Sequence, residues 1–209
     1  NGGSPSISGW DTSNVTTMYY MFFRNTVFNQ PIGNWDTSSV GTMTEMLNRA
    51  SSFNQDIGNW DVSKVTNMNS MLASATSFNQ DVGNWDVSGV TNMGSMFSNA
   101  SNFNNGGSSS ISGWNTSSCT RMDNMFNSTS FNQPIGYWDV SKVTTMDNML
   151  RATSFNQDLS AWDTSSCTSM STLFYTCSAF NQPIGSWNTS KVTNIYHMLT
   201  NTPFDQDLS

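Results

Sequence analysis

Tryptophan returns at a nearly fixed interval along the whole chain. The intervals between successive tryptophans are 25, 25, 25, 29, 24, 24 and 25 residues. The tryptophans are Trp10, Trp35, Trp60, Trp85, Trp114, Trp138, Trp162 and Trp187. A fixed period in this range is typical of solenoids, in which each repeat is one coil stacked on the next. We therefore predict one elongated domain of eight coils over residues 1–209, with a ladder of similar groups on its surface.

Each coil has two halves with different hydrophobic patterns. After Val65 the apolar residues fall at Met68, Met71, Leu72 and Ala75, a spacing that favours one face of a short helix. Around Trp85 apolar and polar residues alternate loosely, which favours a short strand. The pattern predicts an α/β solenoid with one short parallel strand and one short helix in each 24–25-residue coil.

The first and second halves of the chain begin alike. Residues 1–10 read NGGSPSISGW and residues 105–114 read NGGSSSISGW. We infer that a four-coil block, 1–104, was duplicated as 105–209, with a Gly/Ser loop inserted before Trp114. The chain begins at Asn1 and stops where the next tryptophan is due, so we expect it to be part of a longer protein.

Composition excludes several classes of function. The seven basic residues are scattered and the net charge is -7, whereas nucleic-acid binding needs clustered Lys and Arg. No apolar run reaches the roughly 18 residues of a membrane span. The three cysteines stand where other coils have Val or Ala, so we predict buried thiols without a disulfide.

Two columns of residues are interpreted as structural ladders. The asparagine of each Phe-Asn-Gln motif is predicted to pair with backbone groups of the adjoining coil. One tryptophan in every coil is what a stacked interior needs, so this column is predicted to lie in the core. The members are Asn29, Asn54, Asn79, Asn132, Asn156, Asn181, Trp35, Trp60, Trp85, Trp138 and Trp162.

The acidic residue after tryptophan forms the candidate interaction face. Its members are Asp11, Asp36, Asp61, Asp86, Asp139 and Asp163. Stacked carboxylates about 4.8 Å apart repel one another, so solvent, hydrogen bonds or cations must offset the repulsion. We expect each Asp to accept hydrogen bonds within its own turn, with no metal and no cofactor. A calcium ion bridging Asp36, Asp61 and Asp86 is the alternative.

The pattern W-D-[VT]-S-x-V-T-x-M-x-x-M, followed by F-N-Q-[PD]-[IVL]-G, resembles the bacterial surface protein repeat of about 26 residues. That family occurs in mycoplasma lipoproteins and is related to the BspA-like leucine-rich repeats. The match covers nearly the whole chain, for example residues 53–68. The resemblance implies a leucine-rich-repeat-like, right-handed coil, exposure outside the cell, and adhesion or partner binding. It implies no catalytic residues.

These observations predict a non-enzymatic cell-surface module that binds a protein or glycan by summing weak contacts along one face. The alternatives are a building block of a filament, appendage or surface layer, which associates with itself along the stack, and an ice- or mineral-binding surface. His197 is the only histidine and has no repeated nucleophile beside it, so an enzyme is not expected. Five sequons matter only in a glycosylating pathway: Asn14, Asn99, Asn115, Asn127 and Asn188.

Overall fold

A computed structural model describes residues 6–208 of the chain. Within this range the only helices are two short 3-10 helices, Asn105–Gly107 and Ser109–Gly113. No α-helix and no strand occurs there, and no helix in the described residues could cross a membrane. Residues 1–5, which begin the first copy of the duplicated segment, lie outside the described range.

The predicted α/β solenoid is therefore wrong, and its leucine-rich-repeat-like strand and helix are both missing from residues 6–208. Successive repeats pair instead through isolated parallel bridges, one between each pair of neighbouring repeats. The bridges join Thr17, Thr42, Asn67, Asn92, Arg121, Thr145, Ser169 and Asn194 in that order. The pairing falls in the half of the repeat that was predicted to be helical.

The backbone after each bridge explains the error. Met68, Ser70, Leu72 and Ser74 donate their N–H groups to the next repeat, at 2.7–3.0 Å. The N–H groups of Met71 and Ala73 close turns on the carbonyls three residues earlier, at 3.1 and 3.2 Å, and the N–H of Asn69 donates to the Asn67 side-chain oxygen. No N–H of this kind is left for the i to i−4 bonds of an α-helix.

The three-residue apolar spacing comes from these turns. Met68, Met71, Ala75 and Phe78 are all buried, and the N–H groups of Met71, Ala75 and Phe78 each donate to the carbonyl three residues earlier. A helix places residues three apart on one face, and a chain of tight turns does the same. The spacing alone therefore did not separate the two structures.

We call the eight residues that start at each bridge the turn segment. The turn segments are residues 17–24, 42–49, 67–74, 92–99, 121–128, 145–152, 169–176 and 194–201. The fourth and eighth residue of each one has a positive φ, between 50° and 63°, although none is glycine. A left-handed conformation costs an L-residue roughly 1–2 kcal/mol, so the stack holds these residues in a strained conformation.

Stacked aromatic rings fill the interior. Phe28, Phe53, Phe78 and Phe103 follow one another at ring-centroid distances of 5.8–5.9 Å. The rings are nearly parallel, with interplanar angles of 3–14°. Offset stacking of this kind adds about 0.5–1.5 kcal/mol per pair beyond the burial of apolar area. Cys119, Cys167 and Cys177 are buried and unpaired with one another.

The edge between neighbouring repeats occurs in two main forms, and the edge at the insertion differs from both, since Gly83 there faces Ser110. Where the residue after the Phe-Asn-Gln motif or its equivalent is Asp, the preceding repeat has a glycine next to it. The pairs are Gly33–Asp56, Gly58–Asp81, Gly136–Asp158 and Gly185–Asp207. Where the following repeat has proline, the preceding repeat has serine, as in Ser8–Pro31, Ser112–Pro134 and Ser160–Pro183. A Cβ at the four glycines would lie 2.3–2.9 Å from the Asp carbonyl oxygen, closer than real Cβ contacts allow. The glycine is thus required by the Asp-type edge.

We predict that Gly33→Ser lowers the free energy of unfolding by about 1–3 kcal/mol, because its Cβ would overlap the Asp56 carbonyl. The double variant Gly33→Ser/Asp56→Pro recreates the serine–proline pair and should recover most of that loss. Urea unfolding of both single variants and the double variant measures the coupling. Additive losses would contradict the pairing.

A second prediction concerns the left-handed positions. Ala152 is exposed and has φ 54°, so Ala152→Gly should raise the free energy of unfolding by about 0.5–1 kcal/mol. Ala161 is also exposed but does not have a positive φ, and Ala161→Gly should lower it by about 0.4–1 kcal/mol. Opposite shifts of the urea midpoint are expected, and equal shifts would show that Ala152 is unstrained.

Candidate functional site

Two hydrogen-bonded columns fix the position of every repeat. The side-chain oxygen of Asn54 accepts the backbone N–H of Asn79, and this bond recurs from Asn29 to Asp205 at 2.8–3.0 Å. In six repeats a glutamine side chain also donates to that oxygen, at 2.9–3.2 Å. The ladder includes Asn104 and so continues across the inserted residues before Trp114.

The tryptophans form the second column. Each indole N–H from Trp35 to Trp187 donates to a backbone carbonyl of the preceding repeat at 3.0–3.2 Å, as Trp60 does to Ile32. Trp35, Trp60, Trp85, Trp138 and Trp162 are buried, whereas Trp10 is 55% exposed. The structure thus places these tryptophans in the interior and pairs their one polar group.

The insertion before Trp114 is held by a buried asparagine that sequence reasoning did not single out. The Asn105 side-chain oxygen accepts the N–H of Val82 at 2.9 Å, and its amide donates to Ser108 and Ser110. The Ser110 hydroxyl donates in turn to Asp81. The signal in the sequence was the loss of Gln at this position, where Asn105 follows Asn104.

The six carboxylates of the candidate interaction face are all exposed. Each accepts the backbone N–H of the serine two residues later at 2.9–3.1 Å. Asp11, Asp36 and Asp61 also accept that serine's hydroxyl at 2.6–2.7 Å. These bonds hold one oxygen of each carboxylate in the same geometry and leave the other oxygen toward solvent.

Hydrogen bonding sets the ionisation of this face. The serine side chain, followed by its backbone N–H, lowers the pKa of Asp36 and Asp61 below the ordinary value. The same causes lower the pKa of Asp11, Asp86, Asp139 and Asp163. Repulsion by a stacked neighbour is a smaller effect, and Lys64 partly offsets it for Asp61. The face is therefore fully anionic at neutral pH.

A threonine column runs beside the carboxylates. From Thr66 onward each threonine donates both its backbone N–H and its hydroxyl to one carbonyl of the preceding repeat. The N–H bonds are 2.9–3.0 Å long and the hydroxyl bonds 3.0–3.4 Å. Gly41 interrupts the column. The carboxylates and threonines form a uniform polar surface, which we call the Asp face.

Groups that could carry chemistry are dispersed. No cluster of three or more His, Cys, Asp or Glu side chains that could hold a metal occurs within residues 6–208. Burial raises the pKa of the Cys119 thiol to about 11 and also raises those of Cys167 and Cys177. The exposed His197 lies 3.0 Å from the Thr200 hydroxyl.

The model of the family described as Mycoplasma protein of unknown function, DUF285, matches the chain twice, over residues 3–109 and 105–209. The chain belongs to the DUF285 family. No curated protein and no solved structure matches it. The match does not reach the BspA-like leucine-rich repeats that the sequence pattern also suggested, so this DUF285 chain is shown to be a repeat protein and no more.

We predict that Ser38→Ala raises the pKa of Asp36 toward its ordinary value, because one of the two bonds to its oxygen is lost. Ser39→Ala is the matched control, since Ser39 does not bond this carboxylate. Carboxyl NMR titration measures both, and equal shifts would contradict the assigned cause.

The sign of the pH dependence follows from the lowered pKa. The folded carboxylates bind protons less readily than the unfolded ones, so their contribution to stability is present above the unfolded pKa. It is lost as the pH falls through the folded pKa. Urea midpoints of the DUF285 chain should therefore fall below about pH 4, and the Ser38→Ala chain should show a smaller fall.

Proposed function

We propose that this chain is a non-enzymatic module that is displayed outside the cell and binds a protein or glycan partner. Support for the location is the resemblance of the repeat to bacterial surface protein repeats. Support for binding is the Asp face, where the same exposed carboxylate is held in the same way in six repeats.

Binding by such a face works through avidity. One Asp–Ser pair offers a partner a single carboxylate oxygen and has little affinity alone. A rigid row of them presents many contacts at a fixed spacing, so the entropy of positioning is lost once for the whole row. Because serine bonds orient each carboxylate in advance, binding does not have to order it.

A second candidate is a building block that associates with itself. A hollow of about 480 Å³ at one end of the stack is lined mainly by apolar residues, among them Ile184, Trp187, Ile195, Met198 and Leu208. A further repeat would cover it, from the same chain or from a second copy. Sedimentation that changes with concentration would favour self-association, and constant sedimentation would favour the interaction module.

We predict that the triple variant Asp36→Asn/Asp61→Asn/Asp86→Asn folds normally but loses binding to the partner. Asparagine is tolerated in this column, because Asn115 and Asn188 accept the same serine N–H. The loss should exceed the product of the three single losses, because avidity is cooperative. The measurement is binding of chain-coated beads to arrays of extracellular-matrix proteins and defined glycans.

Ser39→Ala/Ser166→Ala is the control, since these serines lie in the same stretch of the repeat but leave the carboxylates intact. It should bind like the wild type. If the wild type binds nothing on the arrays, or the triple Asn variant binds equally well, the Asp face is not the binding surface.

A further inference from the structure

The turn segments carry side chains that the rest of the repeat does not. All four arginines, the only glutamate, the only histidine and four of the five tyrosines lie in them. The turn segments contain four arginines and three acidic residues, Glu45, Asp123 and Asp147, so their formal charge is slightly positive. The rest of the chain contains three lysines and eleven acidic residues and is therefore strongly negative. The side of the stack formed by the turn segments, which we call the turn face, is therefore the one part of an acidic chain that is not acidic.

Several of these side chains occupy positions where the backbone disfavours them. Tyr20, Arg24, Glu45, Arg49 and His197 have φ values of 50–63°. Glycine adopts this conformation without steric cost, and asparagine tolerates it better than most residues. Bulky and charged residues at strained positions point to a role for the side chain rather than for the fold.

Arg24 and Arg49 are the clearest pair. The backbone N–H of Arg24 donates to the carbonyl of Asn48 at 2.7 Å, so the two arginines leave the backbone on adjoining repeats. Both are exposed. Within residues 6–208 neither guanidinium makes a side-chain hydrogen bond or an ion pair, whereas Arg121 is paired with Asp123. The Arg24 guanidinium lies 5.0 Å from the centre of the Phe23 ring.

Aromatic rings adjoin this pair. Tyr19 is 55% exposed and meets Tyr20 edge to face at 4.2 Å, and Tyr20 meets Phe23 at 4.8 Å. The Glu45 carboxylate, the acidic group of this region, already accepts the Tyr20 hydroxyl and the Asn48 amide. Two unpaired cations beside an aromatic surface thus face the solvent.

Small polar residues continue the turn face along the stack. Asn69, Ser70, Ser74, Ser95 and Asn99 follow the arginine pair, and Arg151 and Tyr175 come later. The Arg151 guanidinium lies 5.5 Å from the Tyr175 ring. The backbones of neighbouring repeats are paired at about 4.8 Å, and along this spacing the turn face presents hydroxyl and amide groups between the aromatic and cationic ones.

We propose that the turn face binds an anionic polysaccharide, whose sulfate or carboxylate groups meet Arg24 and Arg49 and whose sugar rings lie against Tyr19. Arginine donates a fixed fork of N–H groups that matches such anions. The apolar face of a sugar ring packs on an aromatic ring, and its hydroxyls meet the asparagines and serines. This inference goes beyond the proposed function, because it concerns a different face.

A periodic ligand fits this surface better than a folded protein does. The backbone spacing of the repeats is about the length of one pyranose ring in an extended chain. A polysaccharide lying along the stack can therefore place about one ring beside each repeat, with its anionic groups at Arg24 and Arg49 and further rings beside the small polar side chains. The net charge of -7 disfavours unspecific attraction of polyanions, so any such binding has to depend on a local site.

The test is surface plasmon resonance of the full chain on an immobilised heparin decasaccharide, with neutral dextran as the reference surface. The wild type should bind heparin and not dextran, more weakly at higher salt. Arg24→Gly/Arg49→Gly should lower the affinity about tenfold or more, because two charge-assisted contacts are lost. Its urea midpoint should be unchanged or higher, since glycine relieves the left-handed strain, so misfolding would not explain the loss.

Lys64→Gln/Lys142→Gln removes the same charge from the Asp face and should leave heparin binding nearly unchanged. Asp36→Asn/Asp61→Asn/Asp86→Asn should keep it as well, so the test is independent of the Asp face. Glu45→Gln should strengthen it by removing a neighbouring carboxylate.

Three results would overturn the proposal. One is equal binding of the wild type to heparin and dextran. Another is an equal loss in the lysine and arginine variants, which would mean attraction by net charge alone. The last is competition by polyglutamate as strong as that by heparin, which would make the occupant an acidic protein segment.

Discussion

The hydrogen bonds between neighbouring repeats hold this molecule together. In every turn segment before 194–201 alternate N–H groups bind the next repeat, and most of the others close turns within the segment, as at Met68 and Met71. The left-handed residues at the fourth and eighth positions let the chain alternate in this way. Outside the turn segments, the asparagine side chains accept backbone N–H groups and the tryptophan indoles donate to backbone carbonyls of the preceding repeat. Strain in one segment is thus balanced by bonds to its neighbour, which makes each repeat dependent on the next.

The sequence predicted the period and the side-chain columns but not the backbone. The tryptophan interval, the asparagine ladder and the inward position of the apolar residues are readable because they recur in every repeat. The predicted helix and strand failed because three-residue apolar spacing also fits consecutive turns, as Met68, Met71 and Ala75 show. The positive φ angles of Ser70 and Ser74 could not be predicted from the sequence, because neither position is a glycine. The backbone–backbone bonds to the next repeat leave no mark in the local pattern of residue types.

The surface divides into two chemically different sides because the stack constrains them differently. On the Asp face, side chains such as Ser63 and Thr66 bond the backbone or a carboxylate, and the same residue types recur in almost every repeat. On the turn face main-chain bonds hold the left-handed backbone, and only some side chains, such as Asn69, add bonds to it, so the exposed residue types can differ between repeats. Tyr20, Arg49 and Arg151 show how much they differ. A ligand that needs the same group in every repeat would therefore bind the Asp face, and a ligand that needs a local set of different groups would bind the turn face.

The two kinds of edge between repeats restrict how such a gene can change its length. Recombination that removes or duplicates repeats joins an old edge to a new neighbour. The third repeat has the edge Gly33–Asp56 on one side and the edge Gly58–Asp81 on the other. Both edges are of the glycine–aspartate kind, so this repeat can be duplicated without a clash. A crossover that set Gly33 against a proline edge, or Ser112 against an aspartate edge, would join unlike partners. Arrays of this type should therefore grow and shrink in register with their edge types, and not at every repeat boundary.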